Sequence, residues 1–306
     1  MYVRAVTRST AGYAMVAVAA TLFAVNASVV KVIEHTGFDA QRLTEVRSTG
    51  AFLGLAAIVL ITRRERIAIT RRELLLLAAL GIGGLALVQW SYFYAIHRLP
   101  IGEALLIQYV APLLVALWAR FVLRENIRRR LWLALALSLA GLALIVELWQ
   151  GSLDGVGIAV AGIACLSYAF YVLVAEKGTR RRDSISLLAF GFLFASLFWA
   201  VLEPWWSFPA HHVRGSTSLL GHLAGVRAPL WLLLAWMVVL GSIVPFLLVV
   251  AALPRIGATR TAIVAMLEPV VAIVVAWAWL GETLDGVQLA GAALTLGGIG
   301  LAQTSR

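Results

Sequence analysis

APLLVALWARFVLRE (Ala111–Glu125) and EPVVAIVVAWAWLGE (Glu268–Glu282) are two spellings of one segment, set 157 positions apart. The same shift carries residues 97–142 onto 254–299 and aligns Arg98 with Arg255, Pro112 with Pro269, Leu137 with Leu294 and Gly141 with Gly298. A unit written twice at a fixed spacing predicts a structural repeat. Each copy is apolar, carries a proline near its start and closes on a glutamate, Glu125 or Glu282. Each therefore reads as a bent helix that ends at a polar surface.

Composition fixes the solvent around these helices. Of 306 residues, 62% are hydrophobic and 13% charged, with a mean hydropathy of +0.93; soluble chains are only about half apolar. The expected surroundings are a lipid bilayer. The first apolar run, from Gly12 to about Ile33, is longer than the roughly 7 to 15 residues at the centre of a secretory signal, so a membrane helix is expected there. The single cysteine, Cys165, excludes an internal disulfide framework.

A helix needs roughly 20 mainly apolar residues to cross the hydrocarbon. Ten such spans are predicted: 11–34, 41–62, 72–97, 100–123, 130–149, 155–177, 184–203, 229–252, 257–280 and 286–303. Of the 25 Lys and Arg, 18 fall at one set of alternate ends and 6 at the other. Cytoplasmic loops carry the basic excess, so both termini are expected inside. The net charge of +10 is then dealt out to lipid headgroups, with no nucleic-acid partner required. Pro112 and Pro269 fall on spans four and nine, five crossings apart. The fold class predicted is an all-α membrane protein of ten transmembrane helices in two inverted five-helix repeats, 1–152 and 153–306, forming one membrane domain.

Polar side chains deep in these spans are the candidates for binding. Glu268 stands directly before Pro269 and could take a cation, an amine or a proton, or serve as a structural glutamate. Gln108 and Tyr109 precede Pro112 in the matching helix and are expected to face the same cleft. Asn26 either orients a polar ligand or ties two helices. Trp90, Tyr94 and His97 form one stripe that suits either an aromatic cavity or an interface belt, with Trp90 the deepest. Ser167, Tyr168 and Tyr171 offer a weaker set. Arg47 is expected to pair with nearby Glu45 or to snorkel. The pair Gly50 and Gly54, and the set Gly291, Gly297 and Gly298, are read as close-packing positions. Pro112 and Pro269 are the hinge candidates. No metal or cofactor is called for: His211, His212 and His222 share a loop without the cysteines or carboxylates that complete a four-ligand site.

The paired segments quoted above, the stretch FAVNASVVK (Phe23–Lys31) and Arg47 at the start of the second span resemble the drug/metabolite transporter superfamily, specifically its EamA-type members. The resemblance covers essentially the whole chain. It implies a bacterial inner-membrane carrier, often an exporter of amino acids or related metabolites, with a cavity walled by both halves. The plan is similar to the aromatic amino-acid exporters of that superfamily, with Tyr109 just before the proline, but Ala111 and Glu268 depart from them. The expected function is export of a small-molecule substrate by alternating access, with a proton as the admissible coupling partner. The other readings are efflux of organic cations or drugs, lipid flipping and, remotely, a membrane-embedded enzyme, for which no HExxH or Gly-x-Ser-x-Gly motif is present.

Overall fold

The computed structural model describes residues 2–96, 98–99, 101–147, 154–210 and 212–304. It is built from helices α1 (Tyr2–Glu34), α2 (Ala40–Thr62), α3 (Arg71–Ala78), α4 (Leu87–Ile96), α5 (Ile101–Gln108), α6 (Ala111–Phe121), α7 (Arg129–Ile145), α8 (Gly155–Thr179), α9 (Ser184–Leu202), α10 (Leu230–Val238), α11 (Val244–Ala265), α12 (Leu267–Val275) and α13 (Gly286–Thr304). Wider π turns, Ala79–Ala86 and Val239–Ile243, join α3 to α4 and α10 to α11; a third, Ala276–Leu280, extends α12. The connection after α9 carries a short antiparallel hairpin, β1 (Ser216–Ser218) with β2 (Arg227–Pro229).

Polar caps start the helices where apolar runs begin. Asp39, Asp154 and Asp183 accept from the first-turn amides of α2, α8 and α9, and Thr70 with Glu73 forms a capping box on α3. These side chains satisfy amides that the helix itself leaves unpaired. Among the described residues, seven stretches are long and apolar enough to cross a membrane, including Leu230–Ala265, which continues through three elements. That last stretch changes direction at Gly257, whose φ of 78° and ψ of 163° lie outside helical geometry. The 229–252 and 257–280 spans predicted from sequence meet near this break.

Close approaches of three kinds tie the first part of the chain to the second. Gly12 of α1 lies against Arg255 and Ile256, and Gly157 of α8 lies against Arg98 and Leu99. Gly241, in the π turn after α10, lies against the Asn26 amide, while Gly84, in the π turn after α3, lies against the Tyr171 backbone. The third is the seam of α7 and α13. Gly291 meets Gly141 and Ile145, whereas Gly298 meets Ala134 and Ser138, so the two helices run antiparallel. Thr295 Oγ1 donates within α13 to Gly291 O at 2.9 Å and, at 3.4 Å, across the seam to Ser138 O. Gly297 does not join it: it faces open space, one residue from the packing face. Gly50 and Gly54 do pack as expected, against Val238 and Ile243.

Candidate functional site

The helix that carries Pro112 is broken just before it, and so is the helix that carries Pro269. A proline has no N–H for the carbonyl four residues earlier and its ring crowds that carbonyl. The chain answers with Tyr109 and Val110 in a turn between α5 and α6, and with Met266, at ψ −4°, between α11 and α12. These two breaks place Tyr109 and Glu268 opposite each other, and Tyr109 Oη donates to Glu268 Oε2 at 2.8 Å. Glu268 occupies the first turn of α12, where the positive end of the helix dipole favours a carboxylate. The hydrogen bond links positions 159 residues apart, at the hearts of the two repeated segments.

Aromatic rings extend from this pair. Tyr168 lies 6.2 Å from Tyr109, centroid to centroid, and 6.2 Å from Tyr171. Tyr171 meets Phe246 edge-on at 5.7 Å, and Phe246 meets Phe23 and Phe192 in the same way. Tyr109 is 2% exposed, but Glu268, Tyr168, Tyr92 and Arg47 each keep accessible surface. Tyr92 and Arg47 both lie within electrostatic range of Glu268. Arg47 stands out in the sequence, though not as a neighbour of Glu268; Tyr92 does not stand out at all. Tyr92 sits two residues from Trp90 in α4, off the stripe that drew notice, and its only sequence signal is a hydroxyl in an apolar run.

Arg47 does not pair with Glu45. Glu45 is taken by Arg42 at 2.7 Å, three residues earlier and fully within reach. Arg47 instead crosses to the π turn after α10, donating from Nε to Ser242 Oγ at 3.0 Å and from a terminal nitrogen to Gly241 O at 3.1 Å. The π turn supplies that carbonyl, because widening the helix releases backbone acceptors. Asn26, 4% exposed, packs on the same glycine with its side-chain oxygen unpaired.

The remaining candidates spread more widely. Trp90 stacks on Tyr94 at 5.8 Å, and Tyr94 lies under the Arg98 guanidinium at 5.6 Å; His97 lies outside the described residues. Gln108 has a buried side-chain oxygen with no partner among the described residues. Ser167 is buried at 4% exposure. Pro112 and Pro269 stand in the first turns of α6 and α12, at the two breaks.

A cavity of about 320 Å³ opens at one end of the molecule, lined by Glu125, Arg128, Glu176, Gly257 and Arg260 among others. Glu176 there accepts from the Ala258 amide at 3.0 Å. Ile256 of this cavity touches Gly12 of α1. Nineteen residues further along α1, a distance of about 28 Å at helical rise, Lys31 closes on Glu282 at 2.8 Å. At that far end Trp279 Nε1 also donates to Leu219 O at 2.8 Å. The cavity thus lies toward one end of α1 and the Lys31–Glu282 ion pair toward the other.

Known proteins share this plan. The EamA-like transporter family matches the chain twice, over residues 10–147 and 155–304. An uncharacterized transporter of Archaeoglobus fulgidus is 29% identical over 272 residues, covering 87% of this chain and 88% of that protein. The threonine/homoserine exporter RhtA of Escherichia coli K12 is 28% identical over 262 residues, 82% of this chain and 78% of its own length. The pseudopaline exporter CntI of Pseudomonas aeruginosa is 28% identical over 153 residues, 50% of this chain and 53% of its own. A crystal structure of 19% sequence identity superposes with a TM-score of 0.74, covering 97% of this chain and 99% of that one, which shows the fold alone. The chain is thus a multi-pass membrane protein and a transporter, and it belongs to the EamA-like transporter family.

Proposed function

We propose that the chain is an alternating-access exporter of amino acids or amino-acid-like compounds, with ten crossing helices in two inverted repeats, 1–152 and 153–306. Three crossings beyond the seven long apolar stretches come from α7, from the turn-back at Gly257 into α12 and its π extension, and from α13. The inverted relation is supported by contacts that recur under a swap of halves. A shift of 145 carries Gly12 to Gly157 and Asn26 to Tyr171; a shift of 157 carries Arg98 and Leu99 to Arg255 and Ile256, and Gly84 to Gly241. Ser138 and Thr295, 157 apart, touch across an antiparallel seam, as residues beside a two-fold axis must.

With the basic loops on the cytoplasmic side of a bacterial inner membrane, the 320 Å³ cavity faces the cytoplasm and the Lys31–Glu282 latch faces outward. Cargo enters from inside, reaches Glu268 among tyrosines, and leaves after the halves rock about the Pro112 and Pro269 breaks. The observation that carries this reading is the Tyr109–Glu268 hydrogen bond, which ties the two breaks together at a carboxylate able to exchange a donor. The names of the exporters RhtA and CntI support amino-acid-like cargo. Transport by reconstituted Glu268→Gln protein, measured across pH, tests it. Loss of transport or of its pH response is expected; a profile identical to the parent's refutes the role of Glu268.

A second reading, efflux of organic cations, is favoured by a carboxylate bordered by tyrosine rings, a setting that also suits quaternary amines. Binding of amino acids against quaternary amines separates the two.

A further inference from the structure

The strongest unexplained group in the molecule is Arg47. Its guanidinium lies deep between α2 and α10, yet both of its hydrogen-bond acceptors, Ser242 Oγ and Gly241 O, are neutral. Among the described residues no carboxylate lies within 4.0 Å of it. The nearest charge that acts on it is Glu268, across the site rather than in contact. A buried cation without an adjacent anion is costly. If Arg47 only clamped α2 to the π turn, a neutral donor would serve.

The packing does not demand an arginine either. Asp39 caps α2 and Asp183 caps α9, and eight residues after each cap stand Arg47 and Gly191. Gly191 fills that place without a side chain, packed against Leu80, Leu85 and Gly81. Arg47 is therefore an addition to the shared scaffold. Arg47 as a residue is only partly buried, and planar guanidinium geometry suits a carboxylate.

We infer that Arg47 is the carboxylate anchor of the central site, so that the cargo is a zwitterion with its ammonium group toward Glu268 and its carboxylate on Arg47. This rests on the amino-acid reading above and adds the requirement for a free carboxylate. Such cargo replaces the missing counter-ion of Arg47 and meets Glu268 at the same time, which a simple amine or a simple acid does not do.

The test uses the purified full-length chain and three matched probe pairs: L-threonine with 1-aminopropan-2-ol, L-leucine with 3-methylbutylamine, and L-phenylalanine with phenethylamine. Affinities are read by ligand titration for the parent, Arg47→Gln, Arg47→Lys and Glu268→Gln. The expected result is that the parent binds at least one amino acid about 10- to 100-fold more tightly than its amine. Arg47→Gln brings that amino acid down toward the affinity of the amine, while the amine, relieved of a neighbouring positive charge, binds at least as tightly as to the parent, which also shows that the variant is folded. Arg47→Lys, which keeps the charge, recovers part of the loss. Glu268→Gln weakens both members of the pair. If amino acids bind the parent and Arg47→Gln binds them equally well, the inference falls while the amino-acid reading stands. If amines bind as tightly as amino acids, or neither class binds, both fall.

Discussion

Gly297 and Gly298 are neighbours on α13, chemically identical, and the structure assigns them opposite fates. A methyl on Gly297 meets nothing within 4 Å; a methyl on Gly298 meets Ala134 O at 2.7 Å and Ser138 N at 2.9 Å. Ordinary contact begins near 3.4 Å, so α7 and α13 must part by about 0.7 Å to admit it. Backbone atoms cannot swing aside as a flexible side chain does. A gap of that size forfeits about a quarter to a half of the dispersion attraction along the seam, and overpacking of this kind costs about 1–3 kcal/mol. Both alanines gain about 0.5–1 kcal/mol of helix propensity, which cancels in the comparison. Cys165 supplies the assay, because it is the sole cysteine and is 5% exposed. A thiol-reactive dye added to detergent-purified protein reports unfolding as that thiol appears. At roughly 2–4 °C per kcal/mol, Gly298→Ala melts about 2–12 °C below Gly297→Ala, which itself stays at or slightly above the parent. Coincident melting curves for the two variants would refute the packing assigned to this seam.

Three further outcomes follow from single residues. Lys31 and Glu282 are about half exposed, 46% and 51%, so their pair is worth about 0–1 kcal/mol; Lys31→Ala shifts the balance toward the state open at that mouth by at most about fivefold, read from accessibility of a cysteine placed nearby, and a larger shift would mean the latch is more than this pair. Gly257→Ala meets nothing closer than Glu176 Oε1 at 3.7 Å, so its cost is purely conformational: φ of 78° with ψ of 163° is glycine territory, and a loss of about 1–3 kcal/mol in thermal stability is expected, with no rescue by asparagine. Burial pushes the Asp183 carboxyl up, but the Ser186 amide and hydroxyl and the Arg63 guanidinium outweigh it and hold it below its ordinary value. A depressed carboxylate stabilises the fold above its unfolded value, about 3.9, and that stability is lost as pH falls through the lower folded value. Asp183→Ala therefore melts below the parent at neutral pH, and the gap narrows as pH falls from about 3.9 through the lower folded value; a gap that does not narrow in acid would mean the charge is irrelevant.

Much of the fold was legible because a bilayer makes the code coarse. Apolar runs bounded by charge gave 41–62 and 184–203 where the helices are Ala40–Thr62 and Ser184–Leu202. Tyr109 and Glu268 were legible for a different reason: a proline marks the break and the polar residue beside it is the one the break exposes. Arg47 was not, since a search for its partner began locally and the partner lies 194 residues away. The acceptor is a backbone carbonyl freed by a π turn, and no side chain in the sequence announces it. Gly297 misled for a geometric reason. Gly291 and Gly298 are seven apart and share a face, whereas adjacent helical residues point about 100° apart, so counting glycines could not tell which of the two touches α7.

The scaffold is matched across the proposed two-fold, and the chemistry departs from it at the places where transport needs a direction. Under the shifts that superpose Gly12 on Gly157 and Pro112 on Pro269, Lys31 maps to Glu176 and Glu282 maps to Glu125. At one mouth these positions hold opposite charges, 2.8 Å apart. At the other they hold two carboxylates, both lining the open cavity and each within the other's field. Closing that mouth in the manner of the first would press like charges together, an arrangement that Arg128, Arg260 and Arg180 dilute but do not reverse in sign at the contact itself. The same backbone device is thus biased toward one state by a single exchange of lysine for glutamate. Because the attractive pair is half exposed, the bias is on the order of 1 kcal/mol, small enough for cargo binding at the proposed Glu268 site to overcome. A carrier with a strongly locked mouth would hold its substrate; one with this modest inequality can both wait open toward the cavity side and still turn over.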